Sequence, residues 1–393
     1  MKQAVLFSLA LGAIFAAAAA AQPDSSVTRD GRYWVQTTNG VMTTVGVWRV
    51  RVITEGNVTV RGVADGNSSY SIKERVQARD GQQAGELLRT MEVKTRTQGD
   101  WLYFIVTLPR HGAIGSDLSL SLPRNMREVW VETRGGNVRA TDFDGVVRTE
   151  SVAGQIDVDR IQSSALLRTG GGDVHIGRVG GGVRCYSGAG TIRAESAGGE
   201  SWLETAGGEI FVRDASGPLH ATTAGGNIKI DRAASTVFAR TAAGLIEVQQ
   251  AGGAVTAESS GGAIQVNAAK GVRCESASGA IRLRNVGGSV TASTAVGNIL
   301  AELLSGNRIE DSTLTTYAGD ITVFISSNIP ITVLARNESA GTVGRIISDF
   351  PEIRVRKANS PGVSVVAEGT LNGGGPTLRI NVMGGTIYLR REK

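Results

Sequence analysis

One apolar position returns at a nearly fixed interval from Val138 to Ile321. Steps of 18 lead from Val138 to Ile156, Val174, Ile192, Ile210, Ile228, Ile246 and Ile264; a step of 17 then reaches Ile281, one of 18 reaches Ile299 and one of 22 reaches Ile321. Two residues before each of these eleven anchors stands glycine, as in Gly136, Gly208 and Gly319. Five before stands Ser or Thr, as in Ser151, Thr205 and Thr316. The interval is too short for a helix pair or a propeller blade, and the alternation within it is that of strands. A unit this small cannot bury its own apolar face and must stack on its neighbours. The fold class expected is all-β, a single-chain β-solenoid (β-helix) with coils of ~18 residues.

Each column then acquires a physical reason. The anchor, the residue two after it, and those nine and seven before the next anchor point inward, as in Ile228, Ile230, Val237 and Ala239. Glycine is expected at a tight corner, both for its tolerance of positive φ and because a side chain there would meet the coils above and below. The Ser/Thr hydroxyls are expected to bond backbone groups at the same corner. A single copy such as "LETAGGEIFV" (Leu203–Val212) resembles the start of a phosphate-cradling loop, but ten sister corners would need the same explanation. Cys185 and Cys274 each lie seven before an anchor, in one inward column five coils apart. At ~4.8 Å per coil that is about 24 Å, beyond the reach of a disulfide, so two buried free thiols are expected.

The flanks differ. Lys2 followed by the uncharged, mostly apolar run Ala4–Ala21, ending in Ala19-Ala20-Ala21, reads as a cleaved signal peptide over residues 1–21. No later segment is long and apolar enough for a membrane span. Four of the five tryptophans precede residue 131 and glycine thickens from Gly135, which marks a boundary near 130. Residues 22–129 are expected to form a β-rich N-terminal capping module with one short helix in "DGQQAGELLRT" (Asp80–Thr90), started by Asp80 and striped with Ala84, Leu87 and Leu88. Residues 130–325 would hold the eleven coils, and 326–393 C-terminal coils and closing strands.

The entry "SLPRNMREVWVETRGGNVRATDFDGVVRTESVAGQI", the repeats, the exit "GDITVFISSNIPITVLA" and the closing "GGGPTLRINVMGGTIYLRR" together resemble the putative-adhesin domain family of exported bacterial proteins. The resemblance covers most of the chain after the leader. It implies a β-helix domain of unknown function, and it brings no catalytic residues with it.

Chemistry is sparse. His111, His175 and His220 do not converge with cysteines or carboxylates, so no metal site, no cofactor and no catalytic residue is expected. Aspartate precedes the anchor only at Asp173 and Asp320, against a calcium-binding roll. The acidic group Asp142, Asp144, Asp157 and Asp159 lies near Arg139 and Arg160 and reads as a solvated face. The pI of 9.4 comes from 41 basic against 36 acidic residues with mixed signs along each column, so no phosphate track forms and nucleic acid is not an expected partner. One outward column, eight before the anchors, is unusual: Trp130, Arg148, Leu166, Arg184, Trp202, His220 and Phe238. It is either a flat strip for sugar rings or a protein partner, or a set of cross-strand pairs that stabilise the sheet. Trp130, Arg148, Arg184, Trp202, His220 and Phe238 are therefore the candidate interaction face.

These features favour an exported, non-enzymatic interaction scaffold or adhesin at the cell envelope, in the periplasm, on the surface or outside the cell, whose partner is a surface glycan or a protein. Two alternatives stay open: a structural envelope protein that self-associates through the solenoid ends, and a polysaccharide-active β-helix enzyme.

Overall fold

The computed structural model describes residues 21–64, 66–108, 114–303, 309–338, 345–357 and 365–392. His111 and all but the last residue of the predicted leader lie outside them. Among the described residues no helix is long and apolar enough to cross a membrane. The chain divides into two compact units, Met1–Thr133 and Arg134–Lys393.

In the first unit, Ala21–Asp30, Tyr33–Met42, Ser68–Val76 and Ile114–Pro123 pair antiparallel in that order, and Asn57–Val63 joins Ile114–Pro123 in parallel. A second sheet runs Glu92–Gln98, Trp101–Thr107, Arg49–Thr54, Glu128–Thr133, its last two pairings parallel. Alternation puts Val58, Val60 and Ile72 of one sheet and Val50, Val52 and Leu102 of the other in the core. Tyr70 and Phe104, from opposite sheets, meet with ring centroids 5.1 Å apart. The expected helix is present as Gly81–Leu88. Asp80 caps it by accepting from the Gln83 N–H at 2.8 Å, and Ala84 and Leu88 pack on Val76 with Leu87 and Trp34 alongside. The strand Ala21–Asp30 was not foreseen: "QPDSSVTRD" has too few β-branched or aromatic residues to signal one.

The second unit is the β-solenoid. Eleven strands begin at the eleven anchors, from Val138–Phe143 to Ile321–Ile325, and stack in parallel with anchor on anchor, as Ile210↔Ile228 and Ile228↔Ile246. The irregular steps are absorbed without loss of register, as Ile264↔Ile281 and Ile299↔Ile321 show. The second strand of each coil stacks likewise, as Leu219↔Val237. Ile228, Ile230, Val237 and Ala239 are all buried.

The corners work as a ladder. The Thr205 hydroxyl donates to the Gly190 carbonyl at 2.9 Å and accepts the Gly208 N–H at 3.2 Å; Thr223 repeats the first contact on Gly208 and Thr241 on Gly226, both at 2.9 Å. A hydroxyl can donate once and still accept, so one side chain satisfies two buried backbone groups. Of the two reasons expected for the glycines, positive φ needs correction. Only Gly297 and Gly319 of this column have positive φ, at 154° and 146°. Crowding decides the rest: a Cβ on Gly208 would sit 2.1 Å from the Gly190 carbonyl oxygen, and one on Gly226 2.0 Å from that of Gly208.

Sequence order fails at the C-terminus. Thr377–Val382 and Thr386–Arg391 do supply two closing strands, but they are not outermost. Thr377–Val382 lies between Ser312–Ala318 and Ile331–Asn337, and Thr386–Arg391 between Ile321–Ile325 and Arg345–Ser348. The final coil of the sequence is thus interposed below an earlier segment. Asn337 continues the Ser/Thr ladder there, its amide donating to the Gly385 carbonyl at 2.8 Å.

Cys185 and Cys274 are both buried and free. The pairings Cys185↔Leu203↔Ala221↔Ala239↔Ala257↔Cys274 place them five rungs apart, as expected. Burial pushes both thiols well above their ordinary range, so they resist reaction while folded. Native protein without reductant should show no reactive thiol, and unfolded protein should show both. Fewer in the unfolded, unreduced sample would mean that the two had paired, which this register forbids.

Candidate functional site

The outward column takes shape on the second strand of each coil. Arg148 stands on Val146–Ser151, Leu166 on Ala165–Thr169, Arg184 on Val183–Ser187, Trp202 on Ser201–Thr205, His220 on Leu219–Thr223 and Phe238 on Val237–Thr241. Parallel register brings them side by side: Arg148↔Leu166, Leu166↔Arg184, Arg184↔Trp202, Trp202↔His220 and His220↔Phe238. The remaining candidate, Trp130, belongs to the first unit, where the Arg51 guanidinium lies 4.0 Å over its ring.

The rings do not lie flat in a row. Trp202 and His220 stack face to face, with centroids 3.7 Å apart and planes 3° from parallel. Phe238 follows at 6.0 Å and 40° from His220. Rings on neighbouring strands that stack in this way present their edges outward and turn their faces along the direction in which coils pile up. His220 therefore covers one face of the indole, while Trp202 as a whole remains 45 % exposed. His220 Nε2 also lies 3.7 Å from a Glu200 carboxylate oxygen.

Next to this stack lies a groove of about 600 Å³ lined from Arg148 and Glu150 through Arg168, Arg184 and Tyr186 to Trp202 and Glu204. Arg168 lies 5.7 Å over the Tyr186 ring. The side chains of Arg184 and Glu204 make no hydrogen bond or ion pair with another described residue. Glu150, Arg168, Tyr186 and Glu204 were visible in the sequence only as a column of mixed charge six before the anchors. They share the parity of the aromatic column, and that parity is the signal that assigns them to the same groove.

The acidic group elsewhere is heavily paired. Arg160 donates to both oxygens of Asp142, at 2.5 and 2.9 Å, and also to Asp159. Asp157 lies 3.6 Å from Arg139 and 3.4 Å from His175 Nδ1, and Asp159 accepts the Arg178 N–H at 3.0 Å. Among the described residues no group of three or more His, Cys, Asp or Glu side chains converges as a metal site would require.

Residues 216–343 match the Toastrack DUF4097 family, which fits the resemblance read from the sequence. No curated protein matches the chain. Three solved structures are similar in part. One, from Clostridium sporogenes, is described as a "putative cell adhesion protein"; it is 7% identical with a TM-score of 0.19, over 91% of this chain and 100% of that one. A "putative adhesin" from Bacteroides fragilis is 13% identical with a TM-score of 0.24, over 74% and 97%. A "putative lipid binding protein" from Parabacteroides distasonis is 12% identical with a TM-score of 0.25, over 75% and 98%.

Proposed function

We propose that this chain with a Toastrack match is an exported, non-enzymatic scaffold that holds a glycan or protein surface through the outer face of its solenoid. The observation that carries the reading is the Trp202–His220 stack, half open to solvent and flanked by a groove in which Arg184 and Glu204 have no partner among the described residues. Contiguous exposed apolar surface rimmed by polar groups marks interaction sites, and Trp and Arg are enriched among the residues that carry binding energy. The signal-like residues 1–21 support export, to the periplasm, the cell surface or the medium.

Two observations favour this over the other readings. The strand Arg354–Lys357 pairs only with Val365–Leu371 among the described strands and exposes Arg354, Arg356 and Lys357. Like charges on an edge discourage strand-to-strand assembly, which weighs against self-association at that edge. Asp142, Asp157 and Asp159 are held by Arg160, Arg139, His175 and Arg178, which leaves them poorly placed as a catalytic carboxylate pair.

Replacing Trp202, Arg184 and His220 together by Ser tests the reading on cells, on glycan arrays and on candidate partner proteins. Binding should fall at least roughly tenfold, as expected for loss of a central aromatic anchor, while the circular dichroism spectrum is kept. Unchanged binding would reject the face. Fractionation of cells checks the export half.

A further inference from the structure

The orientation of the stack narrows the ligand further. Trp202 and His220 are register partners on adjacent parallel strands, and their planes are 3° apart at 3.7 Å. The ring normals therefore run along the pile of coils. One indole face is taken by His220; the other looks toward Val183–Ser187 and its register partner Arg184, whose guanidinium does not lie over the ring, and the groove opens there between Trp202, Arg184 and Tyr186. A polymer laid lengthwise over the coils would meet ring edges. A single ring that enters the groove edge-on would meet the indole face that His220 leaves uncovered.

Resting on the adhesion reading above, we infer that this groove takes one uncharged pyranose ring, stacked on the open face of Trp202 as the next member of the Trp202–His220 pile. The C–H groups of a pyranose face carry the weak positive charge that the negative face of an indole attracts. Its hydroxyls each donate and accept, so recognition needs both kinds of partner. Arg184 only donates and Glu204 only accepts, and neither is engaged by another described residue. The same pair argues against anions. Glu150 and Glu204 alternate in the wall with Arg148, Arg168 and Arg184, so the lining is of mixed sign, whereas an anion site collects cations without carboxylates.

Saturation-transfer NMR on the full chain tests this, with methyl glycosides of glucose, galactose, mannose and N-acetylglucosamine, a methyl glucuronide, and linear oligosaccharides of the best binder. At least one neutral methyl glycoside should bind, with transfer concentrated on the C–H protons of one ring face. Trp202→Ala, on an exposed side chain, should leave the fold intact and weaken binding at least tenfold. Arg184→Ala and Glu204→Gln should each weaken it several-fold, and longer oligosaccharides should gain little over the single ring. The inference is overturned if no neutral glycoside binds, if the glucuronide binds in preference, if binding survives Trp202→Ala, or if affinity climbs steadily with chain length. Trp202-dependent adhesion to cells with all glycosides silent would sink the sugar inference and leave the binding face standing.

Discussion

Gly208→Val should lower the thermal midpoint of the solenoid by roughly 6–12 °C, the shift that corresponds to a loss of about 3 kcal/mol in a unit of this size. The added Cβ would lie 2.1 Å from the Gly190 carbonyl oxygen and 2.4 Å from its carbon. Both are backbone atoms held by the coil below, so neither can swing away as a flexible side chain would. The same displacement would disturb the Thr205 and Thr223 hydroxyl contacts that end on the Gly190 and Gly208 carbonyls. Gly207 supplies the control. A Cβ there comes no closer than 3.7 Å to its neighbours, so Gly207→Ala should stay within about 0.5 kcal/mol of the parent. Calorimetry on the two variants separates the explanations: equal midpoints for Gly208→Val and the parent would remove crowding as the reason for the glycine column.

The first unit should lose stability as pH rises from about 4.5 to about 7, and Glu74 should be the cause. Its side chain is 1 % exposed, it points inward on Ser68–Val76 with Ile72 and Val76, and its Oε1 has no hydrogen-bond partner. Burial pushes its carboxyl up from 4.5 to about 7. A group whose folded pKa is raised contributes most below its unfolded pKa, and that contribution is lost as pH climbs through the folded value. The window therefore runs from about 4.5 to about 7, and the loss is on the order of 3 kcal/mol. Glu74→Gln keeps the shape and removes the charge. Urea unfolding at pH 5 and pH 8 should find the variant close to the parent at the lower pH and clearly more stable at the higher one. Parallel pH dependences for variant and parent would exclude Glu74 as the source.

Burial of Glu74 was legible in principle, since "SYSIKERV" alternates and places Glu74 on the parity of Ile72 and Val76. The partner strands that flank it were not legible, because they come from distant parts of the first unit. The same division holds at the candidate site. The sequence reading assigned Arg184, Trp202, His220 and Phe238 to one outward column, since an 18-residue step keeps every side chain above its counterpart. It did not reveal that the indole and imidazole would stack face to face, because parity says which side of a sheet a ring leaves from and nothing about its plane.

By itself, then, the sequence determined the coil, its eleven anchors, its inward columns, the Ser/Thr ladder and the separation of Cys185 from Cys274. All of these follow from one local environment repeated at a fixed period, so each copy testifies for the others. The tertiary structure alone decided three things. It chose between the two reasons expected for the corner glycines, leaving crowding by the next coil for most of them and positive φ only for Gly297 and Gly319. It slid Thr377–Val382 beneath Ile331–Asn337 and Thr386–Arg391 beneath Arg345–Ser348. It turned the face of Trp202 along the pile of coils. Each of these depends on which strand lies next door, and parallel pairing sets that by contacts between residues far apart in the chain, where periodicity carries no information.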